Sequence, residues 1–419
     1  MTEKSISIVN GHVIDPQHNI DQTTDIHISG NTISSAANNN AEKIDARDLI
    51  ITPGFIDLSV NLCEPGLTHK GSIASETTAA RAGGFTALAC TPNTRPVIDS
   101  SAVVRLIKDK GEEANFPHVY PLGAMTKQLG GEQLSELHAL NESGCIAISN
   151  GRNPYKNNRV LLHALEYAAT FNIQVFFHPQ DIELAENGCA HEGIMSTNLG
   201  LPGIPASAET VALSRDLLLV EQTGVRAHFG QISCAKSVEL IADAQARGLS
   251  VTADVAISNL IFTDTDLAGY NSDFHVQPPL RSEADRQALI AGIKSGVISA
   301  ICSNHQPHEP AAKQAPFAAT EAGISTLETL LPCGLTLVNK GELSLVEFIR
   351  CLTSGPAQVL GLDNQGQLGD NALANITLFN PTEGWVYNSE TSNSMGHNSP
   401  FFGRELKGKV KHCLIDGVG

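Results

Sequence analysis

Hydrophobic runs of strand length alternate with amphipathic stretches through the middle of the chain. Between most runs the apolar positions recur at helical spacing, as in Val160–Thr170, Ala206–Gln222 and Glu283–Lys294. The eight apolar runs are Phe55–Val60, Phe85–Cys90, His118–Leu122, Cys145–Ile148, Ile173–Phe177, Val225–Phe229, Val251–Val255 and Ile298–Cys302. Eight strands separated by helices predict an α/β fold, a parallel (β/α)8 barrel. An open doubly wound sheet is the alternative, but no G-x-G-x-x-G follows an early strand to support its dinucleotide-binding form.

Both ends of the chain are rich in short strands instead. The dipeptides Asn10-Gly11 and Gly30-Asn31 are typical of tight hairpin turns, and Asp416-Gly417 is another turn. The predicted strands around them are Ile6–Val9, Val13–Asp15, Asp25–Ser29, Thr32–Ser34, Ala374–Phe379 and Lys409–Ile415.

The position of these strands predicts the domain organisation. Because strands stand at both ends and the barrel pattern lies between them, we predict one small β-sandwich domain built from both termini. Its two parts are residues 1–53 and 365–419, and the barrel comprises residues 54–364.

Composition and charge exclude several classes of protein. Of the 419 residues, 42% are hydrophobic and 17% are charged, as in an ordinary globular protein. The net charge of −17 would repel phosphate backbones and anionic lipids, which argues against nucleic-acid and membrane partners. No apolar run approaches the roughly 20 residues of a membrane helix, and the first residues lack the order of a signal peptide.

The nine cysteines point to the compartment. Their number is odd and no two form a C-x-x-C pair. This pattern favours reduced thiols over a disulfide framework or a structural zinc site. The sequence therefore predicts a cytoplasmic protein.

Candidate chemistry is expected at the carboxyl ends of the strands, where barrel enzymes place it. The polar residues at or just after these ends are Ser59, Asn61, Cys63, Glu64, Asn93, Ser149, Asn150, His178, Gln180, Asp181, Gln231, Ser258, Asn259, Asn304, His305 and His308. Neutral side chains predominate among them.

Five motifs carry a resemblance to a known family. They are P-G-F-I-D-L-S-V-N-L-C-E-P-G (53–66), A-G-G-F-T-A-L-A-C-T-P-N-T-R-P-V-I-D (82–99), N-L-G-L-P-G-I-P-A-S-A-E (198–209), V-Q-P-P-L-R (276–281) and S-N-H-Q-P-H (303–308). With the terminal strands, they make essentially the whole chain resemble dihydroorotase of the amidohydrolase superfamily. That resemblance implies a barrel with a small β domain. It also implies zinc-assisted opening and closing of a cyclic amide, in which a carboxylate after the eighth strand accepts a proton from a metal-bound water.

The resemblance also implies a ligand set for the metal. It comprises a His-x-His after the first strand, a carboxylate or carboxylated lysine after the fourth, a histidine after each of the fifth and sixth, and an aspartate after the eighth. The corresponding positions here are Ser59, Asn61, Asn150, His178, Gln231 and Asn304. Of these six, only His178 keeps the family's residue.

The substrate contacts of the family are changed in the same way. The arginine that pairs with the substrate carboxylate is replaced by Cys63, and a thiol cannot form that two-point contact. The asparagine of the family's N-P-P-L-R is Gln277. Asn93 and His308 match family substrate contacts, so the remnants of a substrate site are Asn93, His178, Gln277 and His308.

These replacements predict a site with no catalytic residue, no metal and no cofactor. Neutral amides and a hydroxyl are poor zinc ligands, and the Asn304 amide is no general base near neutral pH. The replacements are also chemically coherent, because neutral groups can satisfy one another by hydrogen bonds where unpaired carboxylates would repel each other.

A barrel without its catalytic machinery suggests a binding role. In this family, the resemblance implies, some bacteria carry an inactive dihydroorotase-like chain that assembles with aspartate carbamoyltransferase. We therefore expect a non-catalytic scaffold subunit in pyrimidine biosynthesis, a homodimer within a hetero-oligomer with the aspartate carbamoyltransferase catalytic chain.

Two other functions remain open. One is a divergent cyclic-amide hydrolase that uses Cys63 as a nucleophile with His178 as base, or a metal bound around His178, His305 and His308. The other is a sensor that binds a metabolite without turnover. Lys313 lies on a predicted loop and is not expected to bridge metals, and we expect Asp57 and Glu64 to be structural.

Overall fold

The computed structural model describes residues 5–38, 40–116 and 118–419. An eight-stranded parallel sheet curls into a nearly closed barrel, and its strands neighbour one another in chain order. Val60 pairs with His305 across the seam, where the Asn61 N–H donates to the His305 carbonyl at 2.9 Å. The barrel strands are Phe55–Val60, Phe85–Cys90, Val119–Ala124, Ala147–Ser149, Val175–Phe177, Ala227–Phe229, Val251–Ala256 and Ala300–Cys302. The predicted α/β barrel is therefore confirmed.

Helices cover the barrel from outside, as a parallel sheet requires. The α-helices are Ile73–Ala82, Ser101–Glu113, Leu137–Glu142, Asn158–Thr170, Ile182–Ala185, Ile194–Leu199, Ala206–Thr223, Ala235–Ala246, Ile257–Ile261, Glu283–Lys294, Leu330–Asn339, Leu345–Leu352 and Ser354–Leu360. The three predicted helices are all present. Their ends carry the expected signals: Ser282 caps the helix Glu283–Lys294 by accepting from the Asp285 N–H at 3.3 Å.

The two ends of the chain build two further sheets. One has the order Arg404–Leu414, Ile376–Tyr387, Ile50–Pro53, His12–Asp15, Ile20–Thr23, so it joins strands from both termini. The other has the order Thr32–Ser34, Ile26–Ser29, Ser5–Val9, Glu42–Asp45. Their inner faces share a core of aliphatic side chains distinct from that of the barrel. The predicted sandwich from both termini is thus present, while the boundaries 1–53, 54–364 and 365–419 stay a prediction.

One turn prediction was wrong in its role. Gly30-Asn31 does join a hairpin of paired antiparallel strands. Asn10-Gly11 instead carries the chain from one terminal sheet to the other, because the strands on its two sides pair with different partners. A side chain at position 11 would lie 2.4 Å from Ile51, so the corner needs glycine for close packing.

The terminal sheets lie against the barrel through aromatic and polar contacts. The Phe55 ring is 5.9 Å from that of Phe85 and 6.3 Å from that of Phe379. The Thr377 hydroxyl donates to the Gly84 carbonyl at 2.6 Å. The beginning of the first barrel strand is therefore fixed to the small domain, and its other end is left to form the mouth.

Two features bear on the expected environment. All nine cysteines are free and buried, in line with the prediction of reduced thiols. Among the described residues, no helix is both long and apolar enough to cross a bilayer.

Candidate functional site

The carboxyl ends of the barrel strands hold strained backbone at three of the positions that the resemblance singles out. Cys63, Gln231 and Asn304 have φ angles of 60°, 57° and 49°. The left-handed conformation costs about 1–2 kcal/mol for a residue with a side chain, and such strain concentrates at functional sites. These three neutral side chains therefore stand on backbone of the kind found at functional sites.

Gln231 connects the sixth strand to the first. Its Nε2 donates to Ser59 Oγ at 2.7 Å, and both side chains are nearly fully buried. Its backbone N–H donates to Asp254 Oδ1 at 2.7 Å. Two neutral replacements therefore satisfy each other directly, as the sequence predicted.

A buried carboxylate lies beneath this pair. Asp254 Oδ2 is 2.8 Å from His228 Nε2, and His228 Nδ1 is 2.8 Å from Thr252 Oγ1. Burial alone would raise the pKa of Asp254, but the hydrogen bond with His228 lowers it below its usual value. The negative charge of Asp254 is consequently held by its own partners below the mouth.

Arg152 is the residue that sequence reasoning missed. Its Nη2 donates to Gln231 Oε1 at 2.6 Å and its Nη1 to Gln180 Oε1 at 3.4 Å. Burial lowers the pKa of Arg152 to about 10, which leaves the guanidinium charged at neutral pH. The candidate residues named after the fourth strand ended at Asn150. The available signal was a charged residue directly after a strand-end motif that has lost its own carboxylates.

A chain of amides continues from Arg152 across the mouth. Gln277 Nε2 donates to Gln180 Oε1 at 2.8 Å, the oxygen that also accepts from Arg152. Asn304 Nδ2 donates to the Gln277 carbonyl at 3.1 Å, and Gln306 Nε2 donates to Asn304 Oδ1 at 3.0 Å. Gln277 and Asn304 thus belong to one network with Gln231 and Ser59.

Asn150 lies outside this network. It is almost fully buried, and its Oδ1 accepts from Thr126 Oγ1 at 2.6 Å. Its Nδ2 donates to the Asn153 carbonyl at 3.1 Å. Asn150 therefore holds the loop after the fourth strand.

Asn61 and Asn93 meet at a shared residue. Thr91 Oγ1 is 2.7 Å from Asn61 Oδ1 and 2.6 Å from Asn93 Oδ1. The structure thus brings Asn61, a position that the resemblance assigns to a metal ligand, together with Asn93, a predicted substrate contact, at the end of the second strand.

His178 stands beside Arg152 without a hydrogen-bond partner for its buried Nδ1. Burial, reinforced by the charge of Arg152, lowers the pKa of His178 to about 3. The imidazole is therefore neutral at physiological pH.

Comparison with known proteins decides the family. Residues 48–237 match the family model described as dihydro-orotase-like. The chain is 52% identical to the dihydroorotase-like protein of Pseudomonas aeruginosa over 418 residues, which cover 99% of this chain and 98% of that protein. It is 40% identical to the dihydroorotase of Syntrophotalea carbinolica over 416 residues, 98% of each chain. This chain belongs to the dihydroorotase-like family.

Solved structures agree on the fold. The L-hydantoinase (dihydropyrimidinase) from Arthrobacter aurescens has a TM-score of 0.87 and 21% identity, covering 98% of this chain and 95% of that one. The dihydropyrimidinase from Brevibacillus agri has a TM-score of 0.83 and 20% identity, covering 99% and 94%. At these identities the likeness establishes the fold, a barrel with terminal sheets, and nothing about activity.

The donor set of this dihydroorotase-like mouth does not fit the zinc expected from the family. Ser59 and Gln231 are bonded to each other, and the Arg152 guanidinium lies against Gln231. Neutral amides supply no charge to balance zinc, and a guanidinium repels it. Among the described residues, no three His, Cys, Asp or Glu side chains are grouped so that they could hold a metal ion.

The thiol considered as a nucleophile is poorly placed for that role. Burial, with the nearby Glu76 carboxylate, raises the pKa of Cys63 to about 12. Its Sγ contacts the Asn61 carbonyl at 3.9 Å, and in the described part of the chain no hydrogen bond joins it to His178. The pairing of Cys63 with His178 is therefore not formed.

The metal pair considered after the eighth strand is also absent from the described residues. His305 is fully buried, with Nε2 2.8 Å from Glu76 Oε2 and Nδ1 accepting from the Thr326 N–H at 3.0 Å. His308 Nε2 lies 2.9 Å from the Ala322 carbonyl and its Nδ1 lies 3.3 Å from Lys70 Nζ. Both imidazoles are thus engaged in holding the loops around the mouth.

Lys313 has a similar structural role. Its Nζ donates to the carbonyls of Glu321 at 2.7 Å and Ser272 at 3.1 Å. Burial lowers the pKa of Lys313 to about 8. These contacts tie together two loops rather than bridging metals.

Asp57 and Glu64 have the structural contacts that were expected. Asp57 Oδ1 accepts from the N–H groups of Ser59 and Ser303, both at 3.1 Å, and burial raises the pKa of Asp57 to about 6. Glu64 accepts from the Ile73 N–H at 3.0 Å and pairs with Lys110 at 2.9 Å.

Proposed function

We propose that this dihydroorotase-like protein is a non-catalytic cytoplasmic subunit that acts as a scaffold for aspartate carbamoyltransferase in pyrimidine biosynthesis. In this proposal the chain forms a homodimer within a hetero-oligomer. The function lies in the assembly, and the mouth of the barrel performs no hydrolysis.

The observation that carries the proposal is the hydrogen bond between Gln231 and Ser59, with Arg152 against the same glutamine. Gln231 and Ser59, both at ligand positions of the family, hydrogen-bond each other, and the Arg152 guanidinium contacts Gln231. Asn304, at the position of the family's general base, is an amide that takes part in the same network. Zinc and a proton acceptor, which the family's reaction needs, both lack suitable residues here.

The names of the relatives support the proposal to a lesser degree. Relatives at 52% identity are named dihydroorotase-like protein, whereas one at 40% is named dihydroorotase. The two relatives that are more similar to this chain therefore have a name that does not state the enzyme activity.

The direct test is size-exclusion chromatography of this chain mixed with the aspartate carbamoyltransferase from the same organism. Each fraction is assayed for carbamoyltransferase and for dihydroorotate turnover. We expect one early peak that contains both chains and carries carbamoyltransferase activity, with no dihydroorotate turnover due to this chain.

Two results would overturn the proposal in different ways. Separate elution of the two chains, with unchanged carbamoyltransferase activity and stability, would remove the scaffold role. Turnover of dihydroorotate or a hydantoin by the purified chain, proportional to its concentration, would establish the divergent hydrolase instead.

A further inference from the structure

A cavity of about 420 Å³ opens between the loops that follow the fourth and fifth barrel strands. Its wall combines the cations Arg152, Lys156 and Arg215, the acids Asp181, Glu183 and Asp216, and the side chains of His178 and Gln180. The volume is within the usual range for small-molecule sites, about 300–1,000 Å³.

Arg152 differs from the other cations of this wall in having no acidic partner. Arg215 pairs with Asp216 at 2.8 Å, and Lys156 pairs with Glu132 at 3.1 Å. Within the described part of the chain, Arg152 forms no ion pair, and its two acceptors are the neutral amide oxygens of Gln180 and Gln231.

Glu209 and Asp254, the buried acids whose charges act on Arg152, do not contact it, because both are committed elsewhere. Asp254 accepts from His228 and from the Gln231 N–H. Glu209 accepts from the Ser233 N–H at 2.9 Å and Ser237 Oγ at 2.5 Å, and lies 3.8 Å from Arg281. Partial burial of a guanidinium without a contacting anion costs free energy. Such a group can bind an anion through charge-assisted hydrogen bonds.

His178 gives a second and independent observation. Its Nδ1 is sealed from solvent and has no partner, so a ligand in the open cavity meets the other ring nitrogen, Nε2, which also has no hydrogen bond within the described residues. His178 lines the same cavity as Arg152. A neutral imidazole can donate one hydrogen bond to a bound oxygen atom.

We propose that this cavity binds a small carboxylate, which the Arg152 guanidinium holds and His178 contacts as a second donor. A guanidinium presents paired N–H groups that match the two oxygens of a carboxylate. Asp181 and Glu183 also line the cavity, so an anion gains there only where Arg152 contacts it directly. Malonate and phosphate carry similar charges near neutral pH, so a comparison of the two tests the planar two-oxygen shape of a carboxylate and not charge. The site differs from the lost family contact at Cys63, and it does not depend on the proposed scaffold role.

The test uses the full chain titrated by isothermal calorimetry with malonate and, separately, with inorganic phosphate. We expect saturable malonate binding in the millimolar range and weaker phosphate binding. Arg152→Gln should weaken malonate binding by roughly tenfold or more, the loss typical of a charged hydrogen-bonding group. Arg159→Gln is the matched control, since Arg159 is exposed on the adjacent helix and outside the cavity wall, and it should bind like the wild type.

Thermal unfolding with and without ligand provides a readout that a purely structural arginine would not give. Added malonate should raise the unfolding temperature of the wild type, whereas that of Arg152→Gln should stay unchanged by malonate. His178→Gln, a second variant for the same site, should weaken malonate binding by roughly threefold or more, as expected for one lost hydrogen bond.

Several outcomes would overturn the proposal. They are no saturable malonate binding by the wild type, equal malonate affinity in Arg152→Gln, or phosphate binding that exceeds malonate binding. An equal rise in unfolding temperature with malonate in the wild type and in Arg152→Gln, with unchanged malonate affinity in His178→Gln, would assign Arg152 to the structure of the mouth alone.

Discussion

Arg152 Nη2 lies 2.6 Å from Oε1 of Gln231, so a guanidinium binds the side chain that stands at the sixth-strand ligand position of the family. The amide of Gln231 is thereby used at both ends, since its Nε2 donates to Ser59. The positive charge of Arg152 thus lies at a position that the resemblance assigns to a metal ligand.

The first prediction concerns repair of the metal site. Ser59→His combined with Asn61→His restores the His-x-His after the first strand, yet we expect no zinc-dependent dihydroorotate turnover above the wild-type background. The fourth-, sixth- and eighth-strand positions remain neutral, and Arg152 repels a cation. The measurement is dihydroorotate turnover with and without added zinc. Robust activity of the double variant would mean that the remaining ligands have been misidentified.

The second prediction concerns the stability that Gln231 provides. Gln231→Ala removes the partner of buried Ser59 and an acceptor of Arg152. Leaving buried polar groups unpaired should lower the free energy of unfolding by about 1–3 kcal/mol. Urea denaturation measures the change. The control is Gln222→Ala, because Gln222 is exposed on a helix. Equal stability of the two variants would show that the network adds nothing to the fold.

The third prediction concerns acid sensitivity. Burial, aided by the charge of Lys313, lowers the pKa of His275 to about 4, and its Nδ1 lies 2.8 Å from Thr320 Oγ1. Between pH 6.5 and pH 4, His275 binds a proton in the unfolded chain but stays neutral in the folded chain. The free energy of unfolding therefore decreases as the pH falls through this window. The contribution of His275 should amount to about 2 kcal/mol between pH 7 and pH 5.

Urea denaturation at the two pH values checks this contribution. His275→Gln should lose less stability on acidification than the wild type. His163→Gln, at an exposed position, should behave like the wild type. An unchanged pH dependence in His275→Gln would exclude His275 as the source.

The fourth prediction concerns the thiols. All nine cysteines are buried, and burial raises the pKa of Cys63 to about 12. Because thiolate is the reactive form, the folded protein should react only slowly with Ellman's reagent at pH 8, and nine thiols should be counted after denaturation. Rapid labelling of one thiol in the folded protein, traced to Cys63, would revive the nucleophile hypothesis.

Much of the architecture could be predicted because it depends on local patterns. Apolar runs and helical periodicity predicted the strands of the barrel, each beginning within two residues of its observed start. The dipeptide Gly30-Asn31 predicted its hairpin correctly. Asn10-Gly11 misled because a turn dipeptide does not specify which sheet the next strand joins, and long-range pairing with Ile50–Pro53 decided that.

The candidate site was less accessible to prediction, since its contacts join distant parts of the chain. Gln231 and Ser59 are 172 positions apart, and only the resemblance placed them together. Nothing local indicated that Arg152 would turn toward Gln231. Barrel enzymes place their chemistry at the carboxyl ends of strands, so the prediction stopped at those residues, whereas Arg152 lies in the loop that follows.

The amide network has a consequence for the dependence of this protein on its surroundings. Where a metal binds only the folded state, the stability of a protein depends on the supply of that metal. Here the chain encodes every group that links Ser59, Gln231, Arg152 and Gln180. Chelators and metal starvation should therefore leave the folding and abundance of this barrel unchanged.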